Sequence, residues 1–311
     1  MIIIKYYFIF KLFIITCLSS NVFAQTQNIP NTNDEINYAS LKYFPITKSN
    51  DVSFKPLRVV IFASYSVDKI VHDYVLSYLT YLREISWKIL FIADNEISDM
   101  EKSKLNNLVD FLLCEKHGEY DFGSYKRGFL YAQKFGWLEH ANELILSNDS
   151  CFCVASLNPI FKTMDDKKLD FWGMTESFQI QNHLQSFFLV FNKNVFLSTI
   201  FKDYLLNVTK EKSKKRIILK YEVPLKQLLE RNNFKGSGFI TAWNKNSPTI
   251  FPLTLLKKGC TLVKKKVFTE PKFSKQSIRD TLDFLKISNN NAIQDILNYL
   301  KSNSTNNKKE L

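Results

Sequence analysis

The run Leu57-Arg58-Val59-Val60-Ile61-Phe62-Ala63 decides how the rest of the chain is read. It is short, rich in β-branched residues and apolar almost without interruption, the mark of a strand buried on both faces. Upstream, residues 25–55 carry Gln, Asn, Thr and Ser among few apolar positions and read as an irregular lead-in. Downstream, Ile70, Tyr74, Tyr78, Leu79 and Leu82 recur at helical spacing and predict a helix over residues 67–85. A second apolar run predicts a strand over 87–93, and 98–112 reads as the next helix. Helices are then expected over 129–135, 157–164 and 193–204, with strands over 143–146 and 187–191.

This alternation predicts an α/β fold whose central, mostly parallel sheet is flanked by helices. Sheets of that kind bind ligands beyond the carboxyl ends of their strands. The predicted domain spans 56–283, and residues 284–311 are expected to hold one helix, 292–300, and a disordered Ser/Asn/Lys tail.

With 311 residues and 45% apolar content, the chain can bury a sizeable core, which argues against wholesale disorder. Its 27 Phe and 14 Tyr, against 8 Gly and 8 Pro, exclude a collagen-like or linker-rich architecture. The formal net charge of +12 suits nucleic acid, anionic lipid or phosphorylated substrates alike. Much of the excess sits in runs: Lys212, Lys214, Lys215 and Arg216; Lys257 and Lys258; Lys264, Lys265 and Lys266. Each run alone is more simply a solvated face. Together they suit a membrane-facing or diphosphate-facing patch. They lack interleaved aromatics, and no nucleic-acid motif accompanies them, so no specific nucleic-acid partner is expected.

Cys151 and Cys153 form a C-x-C, while Cys114 and Cys260 stand alone; without a second close pair they read as small buried hydrophobes, not zinc ligands. Residues 1–24 combine Lys5 and Lys11 with an apolar stretch and Val22-Phe23-Ala24, the pattern of a signal peptide or a short signal anchor.

Four segments carry candidate chemistry. Glu119-Tyr120-Asp121-Phe122-Gly123-Ser124-Tyr125-Lys126-Arg127-Gly128 places glycines at a turn entering a helix, where backbone N–H groups can meet an anion. Asp121 could hold a sugar hydroxyl and Lys126 and Arg127 a phosphate; equally, Asp121 or Ser124 could simply cap the helix. Leu144-Ile145-Leu146-Ser147-Asn148-Asp149-Ser150 ends a strand in a carboxylate suited to Mg²⁺ or Mn²⁺ on a diphosphate, or in a plain Asx-turn. Asp170-Phe171-Trp172-Gly173-Met174-Thr175, followed by His183-Leu184-Gln185, offers an aromatic ring, an imidazole and an amide for a sugar, or core positions. Glu222, beside the start of a helix running to Arg231, is either a general base or a helix-dipole partner.

In this order and spacing, the segments resemble the rhamnan synthesis protein F family of glycosyltransferases. The strings that carry the resemblance are Tyr120 to Gly128, Leu146 to Phe152, Asp170 to Thr175, His183 to Phe191 and Lys220 to Val223. The early Val71-His72-Asp73-Tyr74-Val75 and the stretch from Gly259 to Lys266 add to it, so it covers roughly residues 57–270.

The resemblance implies a GT-A-like nucleotide-diphospho-sugar transferase fold. It also implies transfer of a rhamnose-like sugar, with inversion, to a surface polysaccharide or lipid-linked glycan. Asp149 then corresponds to the metal-proximal acid and Glu222 to the base. Donor contacts fall to Asp121, Gly123, Lys126, Arg127 and Asn148, and sugar or acceptor contacts to Trp172, Gly173, His183 and Gln185. The Asp-x-Asp of many such enzymes is replaced here by Asn148-Asp149-Ser150.

Nucleotide sugars are cytosolic, so the expectation is a protein on the cytoplasmic face of a membrane. The leader supports the alternative, a secreted or periplasmic carbohydrate-binding or interaction protein on the same fold.

Overall fold

The computed structural model describes residues 57–307, all within one unit, Ser53–Leu311. The expected leader and lead-in, residues 1–55, lie outside the described residues. The strands are β1 (Arg58–Ser64), β2 (Lys88–Ala93), β3 (Phe111–Cys114), β4 (Glu143–Asn148), β5 (Cys151–Cys153), β6 (Phe171–Ser177), β7 (His183–Leu184), β8 (Phe188–Asn192), β9 (Gly236–Ile240) and β10 (Leu262–Lys264). The helices that matter below are α1 (Asp73–Ile85), α2 (Tyr120–Lys134), α3 (Asn158–Asp165), α4 (Thr199–Leu206), α5 (Leu225–Arg231), α6 (Lys275–Ser288) and α7 (Asn290–Asn307).

Among the described residues, eight strands form one sheet in the order β3-β2-β1-β4-β8-β6-β7, with β9 also on β6. β1 to β4, β6 and β9 run one way; β8 and β7 run against them. The mostly parallel sheet expected from the alternation is therefore present. β5 and β10 make a separate antiparallel ribbon.

The opening run forms β1 because both of its faces find apolar cover. Val60 and Phe62 join the core under α1, with Tyr74, Tyr78, Leu79 and Leu82. Val59, Ile61 and Ala63 join the opposite core under α2, with Phe122, Tyr125 and Phe129. Each such side chain contributes on the order of 1.5–3 kcal/mol when fully buried, so the central strand is the main apolar anchor of both layers. Cys151, Cys153 and Cys260 are buried, and all four described cysteines are free thiols.

The structure departs from the sequence expectations in three places. α1 begins at Asp73, because residues 66–70 turn instead: Lys69 takes φ 59° and its N–H donates to the Ser66 carbonyl at 3.2 Å. The helix expected over 98–112 stops at Ser103, and β3 replaces its end. Asp110 decides this. Its carboxylate accepts from Arg83 and from the Ile89 N–H, and its own N–H donates to the Ile89 carbonyl, which stitches the following residues to β2. Tertiary pairing overrides the local helical pattern there.

Among the described residues, the C-terminal segment holds more helix than expected. The boundary expected at 283 falls inside α6, and α7 continues through Asn307. Ile296 is fully buried, Asn298 donates to Asp73 of α1 at 3.0 Å, and the Tyr299 ring packs on Tyr74. No helix among the described residues is long and apolar enough to cross a membrane.

α2 approaches the sheet at Gly128, where an added Cβ would overlap the Ile61 side chain. Gly128→Ala should therefore overpack this interface and destabilise the fold by about 1–3 kcal/mol. Urea denaturation measures it, and an unchanged midpoint would show that the helix can retreat freely.

Candidate active site at the strand ends

The site is organised by Asp149, the residue directly after β4. Its N–H donates to the Ala63 carbonyl at 3.1 Å, and its Oδ2 accepts from the Ser64 hydroxyl at 2.9 Å and the Tyr65 N–H at 3.0 Å. The carboxylate thus ties the end of β4 to the end of β1. Beside it, Asn148 donates from Nδ2 to Asp121 Oδ2 at 2.9 Å and accepts from the Ser150 N–H at 3.1 Å.

Asp121 lies in the first turn of α2. The loop before it is pinned by Asp94, the residue after β2, whose Oδ1 accepts from the His117 and Gly118 N–H groups at 2.8 and 2.7 Å. Tyr120 is left in the left-handed region at φ 59°, an unfavourable conformation for a bulky residue that surrounding contacts must hold.

Two further segments join this cluster. The Asn148 N–H reaches the Phe187 carbonyl at 3.3 Å, and Tyr125 donates to the Ser186 carbonyl at 2.9 Å. These bonds bring the turn before β8 to the end of β4. Glu222 accepts from both the N–H and the hydroxyl of Ser186, and its other oxygen lies 3.6 Å from His183 Nε2. Glu222 ends a π-helical turn, Ile218–Glu222, the kind of irregularity often found at functional sites.

From the other side, the ribbon sets Lys264 opposite Cys151 and ties the Lys265 N–H to the Ser150 carbonyl at 3.0 Å. The Lys264 ammonium donates to the Ser150 hydroxyl at 2.7 Å. That of Lys265 donates to the Tyr74 hydroxyl at 2.6 Å and sits 3.9 Å from Asp149 Oδ1.

The electrostatics separate the carboxylates. Burial raises the Asp121 carboxyl above its ordinary range; Lys214 and Lys264 oppose that, and Asp149 and Glu222 add to it. Burial would raise Glu222 too, but hydrogen bonds from His183 and Ser186 overcome it and leave that carboxyl below the usual range. For His183, burial is outweighed by its bonds to Glu222 and to the Gln181 carbonyl, and its value rises. Burial and the Arg127 charge push His117 down to about 4, which keeps it neutral, accepting from the Glu119 N–H at Nδ1.

The structure brings Asp121, Asn148, Asp149, His183 and Glu222 into one neighbourhood. Gln185 stands at its edge, its Oε1 accepting from Thr175 and Ser247.

Other expected contacts are corrected. Lys126 is bound to the Val208 carbonyl at 2.7 Å, and Arg127 pairs with Glu119 at 2.7 Å, so both have partners within the protein. Gly123 lets the loop at Glu119 lie against α2, where an added Cβ would overlap it. Trp172 is 3% exposed and packs on Phe161 and Phe188, and Gly173 lies in β6 between Leu184 and Leu189. Both belong to the core. Sequence reasoning missed Ser64, Tyr65, Asp94 and Tyr74 as parts of the site, and offered Lys264 and Lys265 within basic runs that together suit a membrane-facing or diphosphate-facing patch. The pairing of β10 with β5, 114 residues from Ser150 to Lys264, carried no local signal.

These donors do not fit a carboxylate cage for Mg²⁺ or Mn²⁺. Asp149 Oδ2 already accepts two bonds and its Oδ1 faces Lys265, while Asn148 Oδ1 accepts from Ser150. Among the described residues, no three His, Cys, Asp or Glu side chains converge on a possible metal position.

A mostly parallel sheet with carboxylates, hydroxyls and lysines gathered beyond its strand ends places the candidate site where open α/β sheets bind their ligands. The chain belongs to the rhamnan synthesis protein F family, whose sequence profile matches residues 89–311. It is 28% identical over 136 residues to Virulence protein VirA of Vibrio anguillarum, a match that spans 43% of each chain, less than half of that relative.

Among solved structures it is similar to a putative nucleotide-diphospho-sugar transferase from Desulfovibrio desulfuricans G20. The identity is 11% and the TM-score 0.41, over 74% of this chain and 96% of that one. It is also similar to 4-diphosphocytidyl-2C-methyl-D-erythritol synthase from Anaerococcus prevotii, with 10% identity and TM-score 0.36 over 62% of this chain and 92% of that one. No residue role is carried over from likenesses this loose.

The Glu222–His183 pair should shape the pH dependence of stability. Glu222 is lowered from 4.5, so its contribution is present above that value and lost as pH falls through the folded value. His183 is raised from 6.5, so its contribution is present below that value and lost as pH rises through the folded value. Glu222→Gln should therefore lower Tm most near about pH 5.5 and less at higher and lower pH. A Tm difference that is flat with pH would show that the pair is not ionised.

Proposed function

We propose that the recess binds a nucleotide-diphospho-sugar and passes a rhamnose-like sugar, with inversion, to a surface polysaccharide or lipid-linked glycan. The observation that carries this reading is the convergence of Asp121, Asn148, Asp149, Ser150, Lys264 and Lys265 at the ends of β1 and β4. In a direct displacement, the acceptor oxygen forms a bond to the anomeric carbon while the carbon–oxygen bond to the diphosphate breaks. The acceptor proton goes to a carboxylate, and the bonding pair leaves with the diphosphate.

Asp121 suits the proton acceptor better than Glu222. It lies in the first turn of α2 beside Asn148, and its raised carboxyl is the stronger base. Glu222, expected from the sequence as the base, is held by Ser186 and His183 and acts instead to position the turn before β8. Asp149 fixes the strand ends around the donor. The same reading places the protein on the cytoplasmic face of a membrane, where nucleotide sugars and a lipid-linked acceptor meet.

The test is release of nucleoside diphosphate by the purified full chain from a panel of uridine-, guanosine- and thymidine-linked sugars, rhamnose included, with a glycan acceptor. Asp121→Asn should lower kcat by about 100-fold or more while leaving Tm and donor affinity nearly unchanged. Glu222→Gln should act mainly on Tm. Full turnover by Asp121→Asn would remove it as the base. Glycan binding without any donor turnover would favour a non-catalytic carbohydrate-binding protein instead.

A further inference from the structure

We propose that Lys264 and Lys265 supply the positive charge that the donor's diphosphate meets, so that nucleotide binding in this recess needs no divalent cation. The proposal rests on the glycosyltransferase reading and deepens it.

The argument starts from backbone placement. The register of β10 on β5 and the bond from the Lys265 N–H to the Ser150 carbonyl fix both lysines beside the Asn148-Asp149-Ser150 turn. Their ammonium groups also lie against aromatic rings. The Lys264 ammonium lies 4.1 Å from the Phe187 ring centroid, and that of Lys265 lies 4.9 and 5.2 Å from the rings of Tyr74 and Tyr299. Two like charges are thus gathered, half-buried, at one strand end.

Some other lysines that are half-buried or buried sit in close ion pairs: Lys88 with Asp110 at 3.1 Å and Lys226 with Glu230 at 2.9 Å. Lys264 instead donates to a neutral hydroxyl, Ser150. Lys265 donates to the Tyr74 hydroxyl and reaches Asp149 only at 3.9 Å. Burial holds the Tyr74 phenol well above its ordinary range, so this hydroxyl stays neutral and offers no charge in return.

An ammonium has three N–H donors, and one hydroxyl partner leaves donors for an anion. Concentrating cationic charge in a partly desolvated recess is unfavourable until an opposite charge arrives. The burial and the Lys264 charge that lower Lys266 show the same crowding.

The neighbouring oxygens point the same way. A divalent cation on a diphosphate requires free carboxylate oxygens, and those of Asp149 face Ser64, Tyr65 and Lys265. The lysines act throughout transfer as hydrogen-bond donors; the departing diphosphate takes the bonding pair and its added charge falls on the oxygens they contact.

Isothermal titration of the full chain with UDP, GDP and dTDP, in EDTA and again with Mn²⁺, tests this. Lys264→Gln and Lys265→Gln remove the charge and keep a polar side chain, and their Tm values report whether the fold survives. Lys258→Gln, in the run at the other end of the 257–266 segment, serves as the control.

The expected result is binding in EDTA within about threefold of that with Mn²⁺, weakened about tenfold or more by either site variant and not by the control. Lys264→Arg, which restores the charge, should recover part of the loss. Binding that requires Mn²⁺ and is untouched by both variants would overturn the proposal while leaving the glycosyltransferase reading intact. Absence of nucleotide binding in either condition would overturn both.

Discussion

The clasp that Asp149 makes on the end of β1 is the constraint on which the rest of the molecule depends. One residue past β4, its backbone continues the parallel ladder to Ala63, and its carboxylate caps the Ser64 hydroxyl and the Tyr65 N–H. The chain must leave both central strands in fixed directions, and every other group in the recess is placed relative to that exit. Asn148 can then reach Asp121 across the start of α2, and Tyr74 can donate to the Asp149 carbonyl at 3.0 Å from α1. A buried carboxylate satisfied by several donors is tightly held, which is what a positioning group needs.

The division of labour among three acids follows from their surroundings and not from their sequence. Asp149 is fixed by donors on the sheet. Glu222 is fixed by a serine and an imidazole on the turn before β8. Asp121 has less to hold it and is raised by burial. Groups of one chemical type whose environments separate their proton affinities are a recurring basis for acid–base chemistry.

Much of the fold was legible because continuous apolar runs have few alternatives. β1, β2, β4 and β8 fall within one or two residues of their expected positions. β3 was not legible, because Phe111–Cys114 becomes a strand through Asp110 and its partners on α1 and β2, contacts that periodicity cannot show. In the site, Asp121, Asn148 and Asp149 stood out as polar residues at strand and helix ends. Lys126 and Arg127 lie one to two helical turns beyond Asp121, where the Val208 carbonyl and Glu119 bind them, partners that the sequence does not show. Trp172 misled because an aromatic beside a glycine looks alike in a core and in a sugar platform until its burial is known.

The ribbon of β5 and β10, backed by Tyr299 of α7, also sets an order of events during translation. β1, β2, β4 and their helices leave the ribosome early and can collapse around their shared apolar layers. The wall carrying the two lysines, and the aromatic ring behind it, comes from residues 262–299 and can dock only when most of the polypeptide has emerged. A nascent chain halted before that point would own a folded sheet and an exposed Tyr74, but no finished cavity.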